Sequence, residues 1–474
     1  MAFYPPDQPL SRRFRLVLSS FAQHDGLPFA DVLPEATIAK AFADAGADFA
    51  QGPDDVYTPA LTVWAFLSQV LCPGALRSCR QAVARVLVLL VSLGKDPCSD
   101  NTGAYCRARA KLPLAVLQQL TTTVADGCEQ RLPAAWLWQG RHVHLVDGTT
   151  VSMPDTPDNQ AAYPQAKTQA PGVGFPIARL VVLLSLATAL VQGMAVGPYA
   201  GKETGESALV RELLTRLAPG DILLADRYYC SYFMVALLLE RQLDFVVRLH
   251  QCRRADFRRG RRLGRGDHVV TWTRPAKPEW MDEATYQRMP RSLQVREVQV
   301  QVQQPGFRTE SLVVVTTLTD AARYTREDLA ELYHQRWLVE LDIRSIKVTL
   351  GMDVLRCQSP AMVEREMWTC LLAYNLIRQT MLAAAERAGR APRELSFTAA
   401  LQKIAAAWAV LSSCSVALAA ELVELTLRDI GKNLVGNRPD RVEPRAIKRR
   451  PKPHKLLNEP RAAARAKLLG SAAR

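Results

Sequence analysis

At 474 residues the chain is long enough for roughly two to four domains, each with its own core. With 48% hydrophobic and 22% charged residues the composition is that of a globular protein and not of a disordered one. A formal charge of +14 and a pI of about 9.4 point to a polyanionic partner, nucleic acid before membrane.

The N-terminus, MAFYPPDQPL, lacks the basic start and apolar core of a signal peptide. Ten cysteines include no C-x-x-C pair, and neither Cys72/Cys79 nor Cys98/Cys106 has zinc-site spacing. A cytoplasmic chain with reduced thiols is expected, nucleoid-associated if its partner is DNA. Two apolar runs fail as membrane spans. Ala82–Leu93 is short and interrupted by Arg85, and Leu180–Val196 contains Gln192 and Gly193. They read as a buried helix and buried strands, and no membrane partner is expected.

Residues 1–135 read as helical, with apolar spacings of three and four over Phe14–Phe21, Leu61–Val70, Ala75–Leu93 and Leu112–Ala125. Ser99–Thr102 offers an N-cap ahead of a basic segment with Arg107, Arg109 and Lys111. Such a module suits DNA ends, another subunit or a plain scaffold equally.

The pattern changes at His142–Ser152, an extended β-branched run that contains Asp147 before Gly148. A carboxylate inside a strand is unfavourable unless paired or metal-bound. The competing reading is a turn aspartate in an Asp-Gly hairpin. Residues 153–176 read as a loop, and Ile177–Ser185 and Ala187–Val196 as two further strands of a meander. Lys202–Leu217 reads as a helix, Asp221–Asp226 as a short strand ending in an acid, Ser231–Arg241 as a helix and Asp244–Leu249 as a strand. Ligands gather at strand C-termini in α/β sheets, and Asp226 lies at one. A helix-capping aspartate is the bland alternative.

Residues 251–324 interrupt this order with an arginine-dense stretch containing Arg253, Arg254, Arg258, Arg259, Arg261 and Arg262. Strand-like runs follow at His268–Thr273, Leu293–Val302 and Ser311–Thr317, so a β-rich insertion is expected. The arginines suit phosphate contact or a disordered basic loop. Trp272 and Trp280 are candidates for stacking a flipped base or for ordinary core packing.

Thr325–Leu350 reads as one long helix, with Thr325 as N-cap, Asp328 in a capping box and Gly351 as the stop. Tyr333, Arg336, Glu340 and Lys347 fall on one stripe of it, within an arc of about 60° at about 100° per residue. Asp342 falls on the opposite side. A stripe of this kind presents a metal-ligating carboxylate beside phosphate donors, or is a solvated face with an Arg336–Glu340 pair. Ala361–Ala388 and Phe397–Leu427 read as helices. The basic tail from Arg438 is broken by prolines at 439, 444, 451, 453 and 460.

The pattern Tyr333-x-x-Arg336-x-x-x-Glu340-x-x-x-x-x-x-Lys347 resembles the signature of the IS-four family of DDE transposases, which includes the Tn-five transposase. Asp147 and Asp226 stand upstream where that resemblance wants two aspartates. It implies an α/β fold: a ribonuclease H-like catalytic core over 136–250 and 325–437, interrupted by the insertion at 251–324. A helical N-terminal domain over 1–135 and a basic tail over 438–474 would flank it. It implies Asp147, Asp226 and Glu340 as catalytic metal ligands for two Mg²⁺ (or Mn²⁺) ions, with Tyr333, Arg336 and Lys347 on the DNA. The expected activity is cut-and-paste transposition through a hairpin intermediate, on terminal inverted repeats and target DNA, by a homodimer. A catalytically silent DNA-binding derivative and a structure-specific nuclease of the same fold are the alternatives.

Overall fold

The computed structural model describes residues 35–47, 49, 55–72, 74–92, 96–201, 204–301, 311–411, 416–436 and 455–471. The helix expected at Phe14–Phe21 and most of the basic tail lie outside the described residues. Helix α1 spans Glu35–Asp44 and α2 Pro59–Leu71. Thr58 caps α2 through its hydroxyl, and Pro59 takes the first helical position, where its missing N–H costs nothing. Helix α3 (Cys79–Ser92) follows a short 3-10 turn at Gly74–Arg77. Helix α4 (Thr102–Lys111) starts where Asn101 Oδ1 accepts the Gly103 amide at 2.7 Å, and α5 runs Leu114–Glu129.

Strand β1 (Val143–Ser152) pairs antiparallel with β2 (Ile177–Ser185) over its whole length. Asp147 sits opposite Val182 in that ladder, so it is a mid-strand residue and not the Asp-Gly hairpin residue of the alternative reading. The loop between β1 and β2 carries one short helix, α6 (Pro157–Ala162). Strand β3 spans Val191–Pro198, starting later than the sequence suggests, because Ala189 takes a left-handed φ of 62° in the preceding turn. Then come α7 (Glu206–Leu213), β4 (Ile222–Ala225), α8 (Tyr232–Glu240) and β5 (Asp244–Arg248).

The insertion's strands are β6 (Arg261–Gly264), β7 (Asp267–Thr273), β8 (Ser292–Gln301) and β9 (Ser311–Thr316), with α9 (Glu283–Arg288) between β7 and β8. Part of the arginine run is therefore a strand and not a loop. Gly260 and Gly266, at φ of 74° and 68°, turn the chain on either side of it. These strands do not form a sheet of their own. They continue one nine-stranded sheet in the order β3-β2-β1-β4-β5-β9-β8-β7-β6, mixed because β1, β4 and β5 run parallel and the remaining described pairings are antiparallel.

The expected single helix over 325–350 is broken. Helix α10 (Arg326–Gln335) has the full capping box: Thr325 Oγ1 accepts the Asp328 amide at 3.1 Å, and Asp328 Oδ2 accepts the Thr325 amide at 3.0 Å. The amides of Arg336, Trp337, Val339 and Glu340 then bond to carbonyls three residues back, at 3.1–3.4 Å, in place of four. Helix α11 (Leu338–Arg344) follows, and Ser345–Thr349 forms a π turn closed by the Leu350 amide on the Ser345 carbonyl. Capping and periodicity fix the start of such a segment but say nothing of its interior hydrogen-bond register. Helices α12 (Pro360–Ala388, ended by Gly389 in the left-handed region), α13 (Phe397–Leu411), α14 (Val416–Lys432) and α15 (Arg461–Ser471) complete the described chain.

The chain divides into two units, a helical one and one built on most of the sheet; the division falls after Glu340 on α11. In the helical unit, Leu61, Trp64, Val86, Leu90 and Tyr105 form one core cluster. Asn375, fully buried, is satisfied three times: its amide donates to the carbonyls of Thr121 (3.0 Å) and Val191 (2.8 Å), and its oxygen accepts the Val191 amide (2.8 Å). Asp342 is buried against Arg378 and Arg393, each at 2.9 Å. In the sheet unit, Val146, Val181, Leu223, Phe245 and Val295 pack in one core with Tyr232 and Phe233 of α8. Fully buried Arg296 forks onto Asp267 at 2.6 and 2.9 Å, a pair whose disruption costs about 3–5 kcal/mol.

Candidate active site

Strand register makes the site. Strands β1 and β4 are parallel neighbours with Leu145 opposite Leu224. Asp147 follows Leu145 by two residues and Asp226 follows Leu224 by two, which carries both acids just beyond the C-terminal end of the paired stretch, where the Asp226 charge acts on Asp147. Strand β4 ends at Ala225, so Asp226 leaves the ladder, still extended at φ −82° and ψ 176°. Its Oδ1 accepts the Tyr228 amide at 2.7 Å and caps the turn that follows, while Asp147 Oδ1 accepts the Gly148 amide at 2.8 Å. The capping role read from the sequence and the strand-end placement thus belong to the same residue.

Both carboxylates are half-buried. Burial pushes the Asp147 carboxyl up to about 6; the Gly148 amide and the Arg336 guanidinium oppose this, and the charges of Asp226 and Glu206 reinforce it. Glu206 opens α7, and its Oε2 accepts from the Tyr229 hydroxyl at 3.4 Å. From α10, Tyr333 is buried, and that burial pushes its phenol up to about 12, with Arg336 and Arg248 pulling the other way. Arg336 holds Glu340 at 3.2 Å, so one guanidinium acts on Asp147, Tyr333 and Glu340 together.

Of the residues singled out in the sequence, the structure brings Asp147, Asp226, Tyr333, Arg336 and Glu340 together in the sheet unit. Lys347 falls in the helical unit, on the π turn, where burial lowers its pKa and Asp353 opposes that. Arg254, Arg258, Arg259, Arg261 and Arg262 are exposed, and Asp256 pairs with Arg258 (2.8 Å) and Arg259 (3.3 Å). Arg253 instead lies over the Trp272 ring at 4.0 Å. Trp272 is a core residue: it is buried, with its indole N–H on Glu297 Oε1 at 3.1 Å, and has no free face to offer a base. Trp280 packs edge-on to Phe233 under the Arg211 guanidinium.

Sequence reasoning missed Glu206 and Arg248. An acid opening a helix and an arginine ending the strand beside β4 are the signals that could have found them.

The donor set of Asp147, Asp226, Glu206 and Glu340 is carboxylate oxygen alone, which suits a hard divalent cation. A cation would also offset the burial and, after it, the neighbouring negative charges that raise the Asp147 carboxyl. As the side chains stand, no three His, Cys, Asp or Glu among the described residues gather closely enough to hold an ion. Glu340 is turned to Arg336.

Comparison with known proteins identifies the family. A family model described as "Transposase DDE domain" matches residues 138–376, which takes in both aspartates and the α10–α11 segment. The chain is 28% identical over 356 residues to the transposase InsG of insertion sequence element IS4 from Escherichia coli K12, covering 73% of this chain and 76% of that protein. It is 26% identical over 141 residues to the putative transposase InsZ of the same organism, covering 29% and 46%. A solved piggyBac transposase synaptic complex with hairpin DNA aligns over 90% of this chain and 85% of its own, with a TM-score of 0.41 and 11% identity, too loose a likeness to bear on the site.

Proposed function

The chain belongs to the IS4-type DDE transposases, enzymes acting on DNA, and on that footing we propose that Asp147, Asp226 and Glu340 form its catalytic carboxylate set within a ribonuclease H-like core. The observation that supports this reading is the parallel pairing of β1 with β4 up to Leu145 and Leu224, two residues before Asp147 and Asp226, with the Asp226 charge acting on Asp147. The substrate is DNA: the element's terminal inverted repeats, then target DNA, with two protomers holding two ends. The cofactor is a divalent metal, which we read as two Mg²⁺ or Mn²⁺ ions held by the three carboxylates. When bound, the metal supplies Lewis-acid activation of water and of the departing 3′ oxygen.

The chain's own residues do the rest. Asp147 and Asp226, fixed by the sheet, give the site its rigid wall. Arg336 releases Glu340 when phosphate competes for its guanidinium, and then clamps that phosphate bidentately. Tyr333, kept protonated by burial, donates from its hydroxyl to the strand beside the scissile bond. Lys347 and the exposed arginines of the insertion, Arg254, Arg258, Arg259, Arg261 and Arg262, contact phosphates further along. After the first cut the freed 3′ hydroxyl is the next nucleophile, which gives a hairpin end. This step rests on the resemblance of the Tyr-Arg-Glu-Lys pattern.

The test incubates purified protein with labelled element-end DNA and Mg²⁺ or Mn²⁺, comparing wild type with Asp147→Ala and Glu340→Ala. Nicked and hairpin products that vanish in both variants are the expected result. Cleavage that survives both would place the active site elsewhere. Tight binding without cleavage under either metal would leave a DNA-binding protein derived from a transposase.

A further inference from the structure

The site holds one carboxylate that the proposed catalytic set does not use. Glu206 stands at the first position of α7, and its carboxyl sits against Gly148 of β1, next to Asp147. A Cβ on Gly148 would sit 2.2 Å from Glu206 Cδ and 2.4 Å from its Oε1, a separation atoms do not adopt. Position 148 is therefore a glycine so that this carboxyl can reach the backbone next to Asp147. The other oxygen, Oε2, accepts from the hydroxyl of Tyr229, a buried residue on the turn that Asp226 caps. Glu206 is thus tied both to the strand that carries Asp147 and to the turn that carries Asp226. Arg179, the cation that acts on it, donates to the Thr204 carbonyl at 3.0 Å and lies over the Tyr199 ring at 4.9 Å.

Building on the metal reading above, we propose that Glu206 is a positioning residue of the transposition site, whose charge tightens the binding of a divalent cation by Asp147 and Asp226. An acid in the first turn of a helix is favourable for its own sake, because of the dipole. That role alone requires neither a glycine at 148 nor a bond to Tyr229. Held against Gly148 beside Asp147, the Glu206 carboxylate adds negative charge that a divalent cation bound there would offset.

The experiment titrates full-length protein with Mn²⁺ by calorimetry and, in parallel, measures the Mn²⁺ concentration for half-maximal cleavage. The variants are Glu206→Gln, Glu206→Asp and Asp147→Asn. Glu206→Gln should weaken Mn²⁺ binding by about tenfold and shift the cleavage midpoint by the same factor, with raised Mn²⁺ recovering much of the rate. Glu206→Asp, which keeps the charge, should lie between Glu206→Gln and wild type, and it carries the test if Glu206→Gln does not fold. Asp147→Asn should bind Mn²⁺ far more weakly than either. If Asp147→Asn loses Mn²⁺ while Glu206→Gln binds like wild type, the proposal fails and the metal reading stands. If neither variant changes Mn²⁺ binding, the metal reading itself fails. A Glu206→Gln variant whose cleavage is slow at every Mn²⁺ concentration, with an unchanged midpoint, would also overturn the proposal, because that is the mark of a purely structural side chain.

Discussion

Single residues in this protein are decided by what surrounds their polar atoms. The pair His144–Asp221 shows this away from the site. Asp221 Oδ2 meets His144 Nε2 at 2.9 Å, both residues being buried, and also accepts the Ala218 amide at 2.9 Å. Burial alone would raise the Asp221 carboxyl, but the His144 hydrogen bond and charge, with the Ala218 amide, outweigh it and hold it below its ordinary value. A carboxyl depressed in the folded state contributes stability above its unfolded pKa of about 3.9 and loses it as pH falls through the folded value. Asp221→Asn should therefore cost stability at neutral pH, and the gap from wild type should close below about pH 4 in denaturant titrations. A gap that persists at low pH would mean that the carboxylate's charge is not what counts. At the same scale, Asp147 and Asp226 were legible as acids in the wrong place for a plain strand. Glu206 was not, because an acid opening a helix is unremarkable until its carboxyl is seen against Gly148.

Elements are decided by backbone hydrogen bonds and by a few special conformations. The end of the arginine run, Arg261–Gly264, becomes a strand because glycines turn the chain before and after it, and charge density gives no hint of this. Gly260 is the sharper case: at φ 74°, an added Cβ would lie 2.2 Å from the Val269 carbonyl oxygen. Gly260→Ala should open the β6–β7 hairpin, seen as faster proteolysis within residues 253–266, at a cost of roughly 1–3 kcal/mol. Unchanged proteolysis would show that the hairpin tolerates the strain. The α10–α11 segment makes the complementary point. Its N-terminus was readable to the atom, since Thr325 and Asp328 form the capping box, whereas the tight turn at Arg336–Trp337 and the π turn at Ser345–Thr349 were not. Helical spacing still brought Arg336 to Glu340, because one turn of helix suffices for that pair.

At the scale of the molecule, the excess of positive charge sets how the protein meets DNA. Strand β6 is the last in the sheet, and its exposed Arg261 and Arg262 also discourage edge-to-edge pairing. If these two contact phosphates, Arg261→Ala with Arg262→Ala should weaken binding evenly across DNA sequences. The slope of log K against log salt should then fall by about two. An unchanged slope would remove β6 from the DNA-binding surface. No helix among the described residues is long and apolar enough to cross a membrane; the apolar run over 180–196 is almost wholly buried, as read from the sequence, whereas the helix over 82–92 exposes Val88 and Val91. The insertion, read as β-rich, lengthens the central sheet through the β5–β9 pairing. The strand pattern was readable, but which strand would pair with which was not.

The sequence by itself determined the chemistry on offer: hard carboxylate oxygens, arginines for phosphate, and a Tyr-Arg-Glu-Lys spacing that resembles one enzyme family. It also determined most element boundaries, since caps, glycines and apolar periods act within a few residues. Only the tertiary structure decided which acids share a site. Asp147 and Asp226 are drawn near one another by the pairing of β1 with β4, Glu206 joins them through the missing Cβ of Gly148, and Asp342 is drawn into ion pairs with Arg378 and Arg393. The physical reason is range: local rules reach one turn or one strand, whereas burial and like-charge repulsion act between residues that only folding brings together.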